Sequence, residues 1–274
     1  MRFFKKTTDP DDLDDRHIMM GAFMATLLGI AAGLALFPNE ASIVGVFLVA
    51  FSEAITVEAL LERNRREVWG PNASPAEANR KMAASLFMLF LGIFMAYVIA
   101  VQLAPFDELD NWFDRQLGNF MGGSMADVHF ADFVEILRRN VLVLLVSFLF
   151  ALFYRHGGML LVLAWNASKW GVIFSYVARM ASRDDDVFLP IYLARTFVCI
   201  IPHLFAEAFA YILVAMSGVF LSKGLAKYSL SSDEFTQVGG AVLRIAGMSF
   251  VILVVAGALE AYLAPILVTA LFRH

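Results

Sequence analysis

The chain has 274 residues, of which 60% are hydrophobic and 17% are charged, and its formal net charge is −4 at pH 7. Soluble globular chains are close to half apolar and about a quarter charged, so this composition excludes an ordinary soluble enzyme or binding domain. The charge gives no indication of nucleic-acid binding, because the sequence contains no basic stripe. Cys199 is the only cysteine, which excludes an intramolecular disulfide and a cysteine-based metal cluster.

The apolar residues form seven runs of about 20 residues or more, the length that crosses roughly 30 Å of hydrocarbon as a helix. We therefore predict an all-α, polytopic transmembrane bundle. The last two runs exceed what a bilayer needs, so we expect them to tilt or to extend into water. The predicted spans are Ile18–Phe37, Ser42–Leu61, Met82–Leu103, Ile136–Tyr154, Met159–Ala181, Pro190–Leu221 and Val238–Leu271.

The second predicted span has an alternative interpretation. Its apolar run contains Glu53 and ends in the charged stretch ERNRREVW. A helix of this kind also fits an interfacial position, with its apolar face in the lipid and its charged face in water. The charge distribution favours a crossing, because a crossing here places more of the basic residues on one side of the membrane.

Alternate crossings from a cytoplasmic N-terminus follow the positive-inside rule, under which cytoplasmic connections carry an excess of Lys and Arg. We therefore predict a multi-pass protein of the cytoplasmic membrane, with its N-terminus inside and its C-terminus outside. The basic residues on the predicted inner side are Arg2, Lys5, Lys6, Arg16, Arg63, Arg65, Arg66, Arg80, Lys81, Arg155, Lys223 and Lys227.

The longest predicted outer connection, residues 105–135, is acidic and carries aromatic residues. Its stretch DELDNWFDRQL predicts a short amphipathic helix at the interface, where a Trp ring is favourably placed. One interpretation is a solvated connector anchored by Trp112. The other is a docking surface for an extracytoplasmic partner, formed by Trp112, Phe113 and Phe120.

An ionisable residue inside a spanning helix is a functional-site hypothesis by default, because its burial in lipid is costly. His203 and Glu207 are four residues apart and share a helix face, directly after Pro202. Glu260 precedes Pro265 by five residues, so we predict two proline-kinked helices that each carry a buried carboxyl group. The predicted intramembrane polar cluster comprises Glu53, Asn140, Asn166, Lys169, His203, Glu207 and Glu260.

The segments ILRRNVLV, LAWNASKWG, IIPHLFAEAFA and AGALEAYLAP follow one another in an order and spacing that resemble the stage II sporulation protein M family. The resemblance covers roughly residues 82–272. Arg139, Ala167 and Leu204 replace an Asn, a Gly and a Gly of the family pattern. The matching residues are Asn140, Asn166, Gly171, Pro202, His203, Glu207, Glu260 and Pro265. We accordingly predict an N-terminal extension with two spans and a charged cytoplasmic loop at 1–81, and a five-span core at 82–274.

The resemblance implies a non-catalytic membrane scaffold or accessory subunit without a cofactor. The family's namesake works with peptidoglycan hydrolases, so the expected partners are the bilayer and proteins of a membrane complex, including further copies of the chain. Under this hypothesis the polar cluster holds the bundle together through interhelical hydrogen bonds. No metal is expected.

Two other classes of function stay open. The first is a transporter or a proton or ion pathway through His203, Glu207 and Glu260, with Lys169 as a counter-charge. The second is a metal site or a membrane enzyme, since one His and several carboxylates are suitable ligands. The sequence has no His-Glu-x-x-His or Gly-x-Ser-x-Gly motif to support the second class.

Overall fold

The computed structural model describes residues 14–70, 74–118, 133–185 and 187–272. Regular structure in these ranges is entirely helical, which confirms the predicted all-α class. Short 3₁₀ turns lie at Pro38–Glu40 and Phe106–Glu108, and a π-helical turn lies at Leu259–Leu263. The α-helices are α1 Asp15–Leu36, α2 Ala41–Ser52, α3 Ala54–Val68, α4 Pro75–Leu103, α5 Leu109–Leu117, α6 Phe133–Asp184, α7 Leu189–Lys227, α8 Asp233–Ala258 and α9 Ala264–Phe272.

Five helical segments within the described ranges are long and apolar enough to cross a membrane: α1, α4, α6, α7 and the continuous stretch from α8 to α9. The number rises to six when the pair α2–α3, bent by 42° at its break, is counted as one span. The chain is therefore a multi-pass membrane protein. This number is smaller than the seven predicted spans because α6 counts once, although two predicted spans fall within it.

Helix α6 consists of two arms. Its 52 residues would extend about 78 Å as one helix, more than twice the thickness of the hydrocarbon layer. The helix breaks at Arg155, where φ is 53° and ψ is −133°. Gly158 packs directly onto the carbonyl oxygen of Phe150, although eight residues of straight helix would separate them by about 12 Å. The chain thus folds back on itself at Arg155, between arm α6a (133–154) and arm α6b (156–184).

Helices α1 and α2 form a close hairpin through small residues. A Cβ atom added at Gly33 would lie 2.5 Å from the carbonyl oxygen of Ala41, and one added at Gly29 would lie 3.3 Å from the backbone of Gly45. Small residues four apart allow helix backbones to approach in this way. Helix α2 therefore packs along α1 over its first turns, and α3 departs at the bend.

The amphipathic helix α5 buries its apolar face in the bundle. Leu109 and Phe113 are each 1% exposed, and so is the polar Gln116. The hydroxyl of Ser42 donates to Gln116 Oε1 at 2.5 Å, and Gln116 Nε2 donates to Ser168 Oγ at 3.4 Å. The predicted short helix is confirmed, and other helices of the protein cover its apolar face.

The position of α5 along the bundle follows from its contacts with α6b. Near the end of α4, the Arg179 guanidinium donates to the carbonyl oxygens of Val101 and Ala104 at 2.5 and 2.8 Å. Ser168 precedes Arg179 by eleven residues, or about 16 Å of helix. Because Gln116 reaches Ser168, α5 turns back from the end of α4 and lies along the bundle.

Candidate functional site

Three polar side chains from three separate segments meet inside the bundle. Asn140 of α6a donates from Nδ2 to Glu207 Oε1 of α7 at 2.5 Å. The carboxyl groups of Glu207 and Glu260 share a hydrogen bond, and Glu260 belongs to the π-helical turn after α8. Glu207 is 5% exposed. We call Glu207 and Glu260 the carboxyl pair.

The contact within the carboxyl pair favours a shared proton. An ionised carboxylate only accepts hydrogen bonds, so a hydrogen bond between two carboxyl groups requires a proton on one of them. Two ionised carboxylates at this distance would also repel each other strongly in an apolar interior. Arg139 acts electrostatically on Glu260, and Tyr211 of α7 lies within the field of both carboxyl groups. A shared proton leaves the pair with one negative charge at most, with one guanidinium nearby.

The π-helical turn displaces Glu260 from a regular helical position. The Ala264 N–H donates to the carbonyl oxygen of Leu259, five residues earlier. Pro265, the next residue, has no N–H to donate. Single π turns inside α-helices occur frequently at functional sites. The last span thus contains a wide turn that carries Glu260, shortly before Pro265.

His203 occupies the same face of α7 as Glu207, one turn earlier, and is 7% exposed. Its Nδ1 atom is buried and has no hydrogen-bond partner among the described residues. Helix α7 runs without a break through Pro202, from Leu189 to Lys227. The structure therefore places His203 beside the carboxyl pair along the helix but does not join it to the pair by a hydrogen bond.

The family model described as "Stage II sporulation protein M" matches residues 84–265. The chain belongs to the stage II sporulation protein M family. The matched range begins inside α4, ends at Pro265 and contains Asn140 and the whole carboxyl pair, which confirms the resemblance drawn from the sequence. Helices α1 to α3 lie outside it. No curated protein and no solved structure matches the chain.

Asn166 and Lys169, predicted to belong to the intramembrane polar cluster, occupy other positions on α6b. Asn166 is 8% exposed, and its Nδ2 donates to the carbonyl oxygen of Val162 in its own helix at 2.9 Å. Lys169 is exposed. The prediction that Lys169 supplies a counter-charge inside the cluster is wrong. Lys169 follows the buried Asn166 by three residues on α6b, and its side chain lies on the outside of the bundle.

Glu53 is buried, at 7% exposure, but belongs to the N-terminal helices. Its carboxyl group accepts a hydrogen bond from the Thr56 side chain, and Glu53 Oε1 lies 3.8 Å from where a Cβ of Gly21 would stand. These contacts are with α1 and α3. Of the seven residues predicted as one cluster, the structure joins Asn140, Glu207 and Glu260 by hydrogen bonds.

The aromatic residues predicted to dock a partner are only partly available. Phe113 is 1% exposed and packs in the core, so its assignment to a docking surface is wrong. Trp112 is half-buried against the core. Phe120 lies outside the described residues. The exposed face of α5 carries polar groups instead, including Asn111 and Asp114.

A second set of buried polar residues was not predicted from the sequence. The Tyr97 hydroxyl of α4 donates to the Ser42 carbonyl oxygen at 2.7 Å, and the Ser42 side chain continues to Gln116 and Ser168. The available signal was the position of Gln116, which shares the face of α5 that carries Leu109. Within the described residues, no group of three or more His, Cys, Asp or Glu side chains is placed to hold a metal ion.

Proposed function

We propose that this member of the family is a non-catalytic scaffold or accessory subunit of the cytoplasmic membrane, which docks partner proteins through its outer segment 105–135. The family is not a known family of enzymes. The observation that carries the proposal is that the carboxyl pair makes its polar contacts within the bundle. Glu207 accepts from Asn140 and contacts Glu260 through its carboxyl group, so these polar groups link three segments of the bundle to one another.

The proposed topology has seven crossings and a cytoplasmic N-terminus. Two features support it: α6 divides at Arg155 into two arms, and α2–α3 together are long enough for one bent crossing. The ends of α3 and α7 and the beginnings of α4 and α8 line one common cavity. This arrangement agrees with alternate crossings, which bring these four ends to the same side.

The proposed docking surface is the exposed face of α5, centred on Asn111 and Asp114. The helix is held firmly, because Arg115 forms an ion pair with Glu40 at 2.5 Å and Gln116 is bonded inside the bundle. A rigid helix loses little conformational freedom on binding. Its acidic outer face fits a partner with a basic surface.

Site-specific photo-crosslinking in the protein's native membranes tests this function. A crosslinker at Asn111 should yield a discrete adduct with another protein, and one at Ser229, an exposed residue of the α7–α8 connection, should not. Asp114→Lys should abolish the adduct. The control Asp184→Lys should retain it, because it reverses the charge of an exposed acidic residue at the end of α6, outside α5. Self-adducts alone, or an adduct that survives Asp114→Lys, would contradict the proposal.

A proton pathway is the second candidate function. The contact between the two carboxyl groups and the unpartnered Nδ1 of His203 one turn away favour it. Buried carboxyl and His groups relay protons in pumps and transporters. Proton flux into liposomes distinguishes the two functions. Flux above that of empty vesicles between pH 5 and 8, lost in Glu260→Gln, would establish the pathway, and the scaffold proposal predicts no such flux.

A further inference from the structure

A cavity of about 410 Å³ opens at the end of the bundle opposite α5, where α3 and α7 end and α4 and α8 begin. Four of its lining residues are basic, and none is acidic. An amide hydrogen bond from Asn64 Nδ2 to Asn79 Oδ1, at 2.9 Å, closes the wall between α3 and α4. The basic lining residues are Arg65, Lys223, Lys227 and Arg244.

The basic side chains that line this cavity are only partly paired with carboxylates. Arg65 pairs with Glu62 at 2.5 Å, and Lys223 lies in the field of Glu58 and Glu62. Arg155 adds a further positive charge near Lys223. Lys227 and Arg244 form no ion pair with a described carboxylate. The cavity therefore has an excess of positive charge, which favours an anionic ligand.

The remaining lining residues place this cavity at the membrane boundary. Trp69 is 48% exposed, and its ring lies 6.4 Å from that of Tyr228. Trp and Tyr are enriched where hydrocarbon meets the headgroups. The Lys227 ammonium group lies 5.1 Å from the centre of the Tyr228 ring. Apolar walls continue from the basic rim into the bundle and include Leu61, Val68, Phe220 and Val238.

We propose that this cavity binds the phosphate-bearing headgroup of an anionic phospholipid. Lys223, Lys227 and Arg244 supply the charged donors for the phosphate oxygens, since charge-assisted hydrogen bonds to phosphate are strong. Basic pockets between transmembrane helices bind acidic headgroups in this way. A free phosphate ion would use the rim alone, whereas a lipid also places its glycerol and upper acyl chains against the apolar walls. The site is independent of the proposed scaffold function.

Native mass spectrometry of the full-length protein in detergent tests the site, with phosphatidylglycerol and phosphatidylcholine of matched chains as probes. We expect phosphatidylglycerol to bind at least about tenfold more tightly. Each basic group near a headgroup contributes about 1 kcal/mol, so Lys227→Ala/Arg244→Ala should weaken that binding by about 10- to 30-fold. The control Arg80→Ala/Lys81→Ala removes two cations from the beginning of α4, outside this cavity, and should change the binding less than about twofold.

Lys227 and Arg244 are exposed, so the double variant should remain folded, as size-exclusion chromatography and thermal unfolding will show. If it does not, Lys227→Ala alone should weaken binding and Lys227→Arg should restore it. Equal binding of the two lipids, or wild-type binding of phosphatidylglycerol by a folded alanine variant, would overturn the proposal. Displacement of phosphatidylglycerol by equimolar inorganic phosphate would also overturn it and would identify a site for free anions.

Discussion

At the scale of single residues, Glu207 determines how the buried polar groups are satisfied. Its carboxyl group is the only described link between Asn140 of α6a and Glu260 of the π-helical turn. Interhelical hydrogen bonds in membranes contribute modestly, on average about 0.6 kcal/mol. A buried group that loses its partner costs about 1–3 kcal/mol, so loss of a partner matters more than the strength of any one bond.

Glu207→Leu should therefore lower the free energy of unfolding by about 1–3 kcal/mol, because it leaves Asn140 and Glu260 unpaired. Glu207→Gln should stay close to wild type, since an amide accepts from Asn140 and donates to Glu260 without a shared proton. Unfolding in mixed micelles measures both. Leu142→Ala, at a residue that is 63% exposed, is the control. Equal losses for the Gln and Leu variants would show that these hydrogen bonds do not stabilise the bundle.

Outside the membrane helices, the Arg115 guanidinium holds the pKa of the Glu40 carboxyl below its ordinary value of 4.5. A lowered pKa in the folded state means that the ion pair stabilises the fold above pH 4.5 and that this contribution is lost as the pH falls through the lowered pKa. Hydrogen exchange of α5 amides, corrected for intrinsic rates, should therefore rise on acidification. Arg115→Ala should raise exchange at neutral pH and remove this pH dependence. An unchanged profile in that variant would contradict the role of the pair.

At the scale of elements, the sharp reversal inside α6 depends on glycine at one of two neighbouring positions. Gly158 has no room for a Cβ atom against the carbonyl oxygen of Phe150, whereas Gly157 has open space around its Cβ position. Gly158→Ala should destabilise the protein by about 1–3 kcal/mol through overpacking. Gly157→Ala, the matched control, should be neutral or slightly stabilising. Thermal unfolding in detergent compares them, and equal effects would argue against the tight reversal.

At the scale of the whole molecule, the number of crossings between α5 and the α7–α8 connection is decisive. If α6a and α6b each cross, Asn111 and Ser229 lie on opposite sides of the membrane. If α6 crosses once, they lie on the same side. Single cysteines at these positions, in a Cys199→Ala background, can be labelled with an impermeant maleimide. We predict labelling of position 111 in intact cells and of position 229 only after permeabilisation, and labelling of both in intact cells would refute the seven-crossing topology.

Much of this architecture could be predicted because apolar runs of 20 residues have few alternatives to a helix in lipid. The polar residues were less predictable. A sequence shows that Lys169 and Glu207 interrupt apolar runs, but only the packing of α6b against its neighbours turns Lys169 outward. In the same way, the position of α5 along the bundle depends on contacts such as that of Gln116 with Ser168, which lie 52 residues apart. A local sequence pattern shows which residues share a helix face, but it does not show which helix packs against that face.

We propose that the carboxyl pair holds the bundle together and that the protein functions by docking partners. The most direct test replaces both acids with amides, as Glu207→Gln/Glu260→Gln, and measures the crosslinked adduct from position 111 in native membranes. Two amides preserve a hydrogen bond between the side chains but cannot exchange a proton near neutral pH. We predict an adduct yield within about twofold of wild type. Loss of the adduct in a variant that remains folded and inserted would contradict it, because docking would then require the ionisable chemistry of the pair.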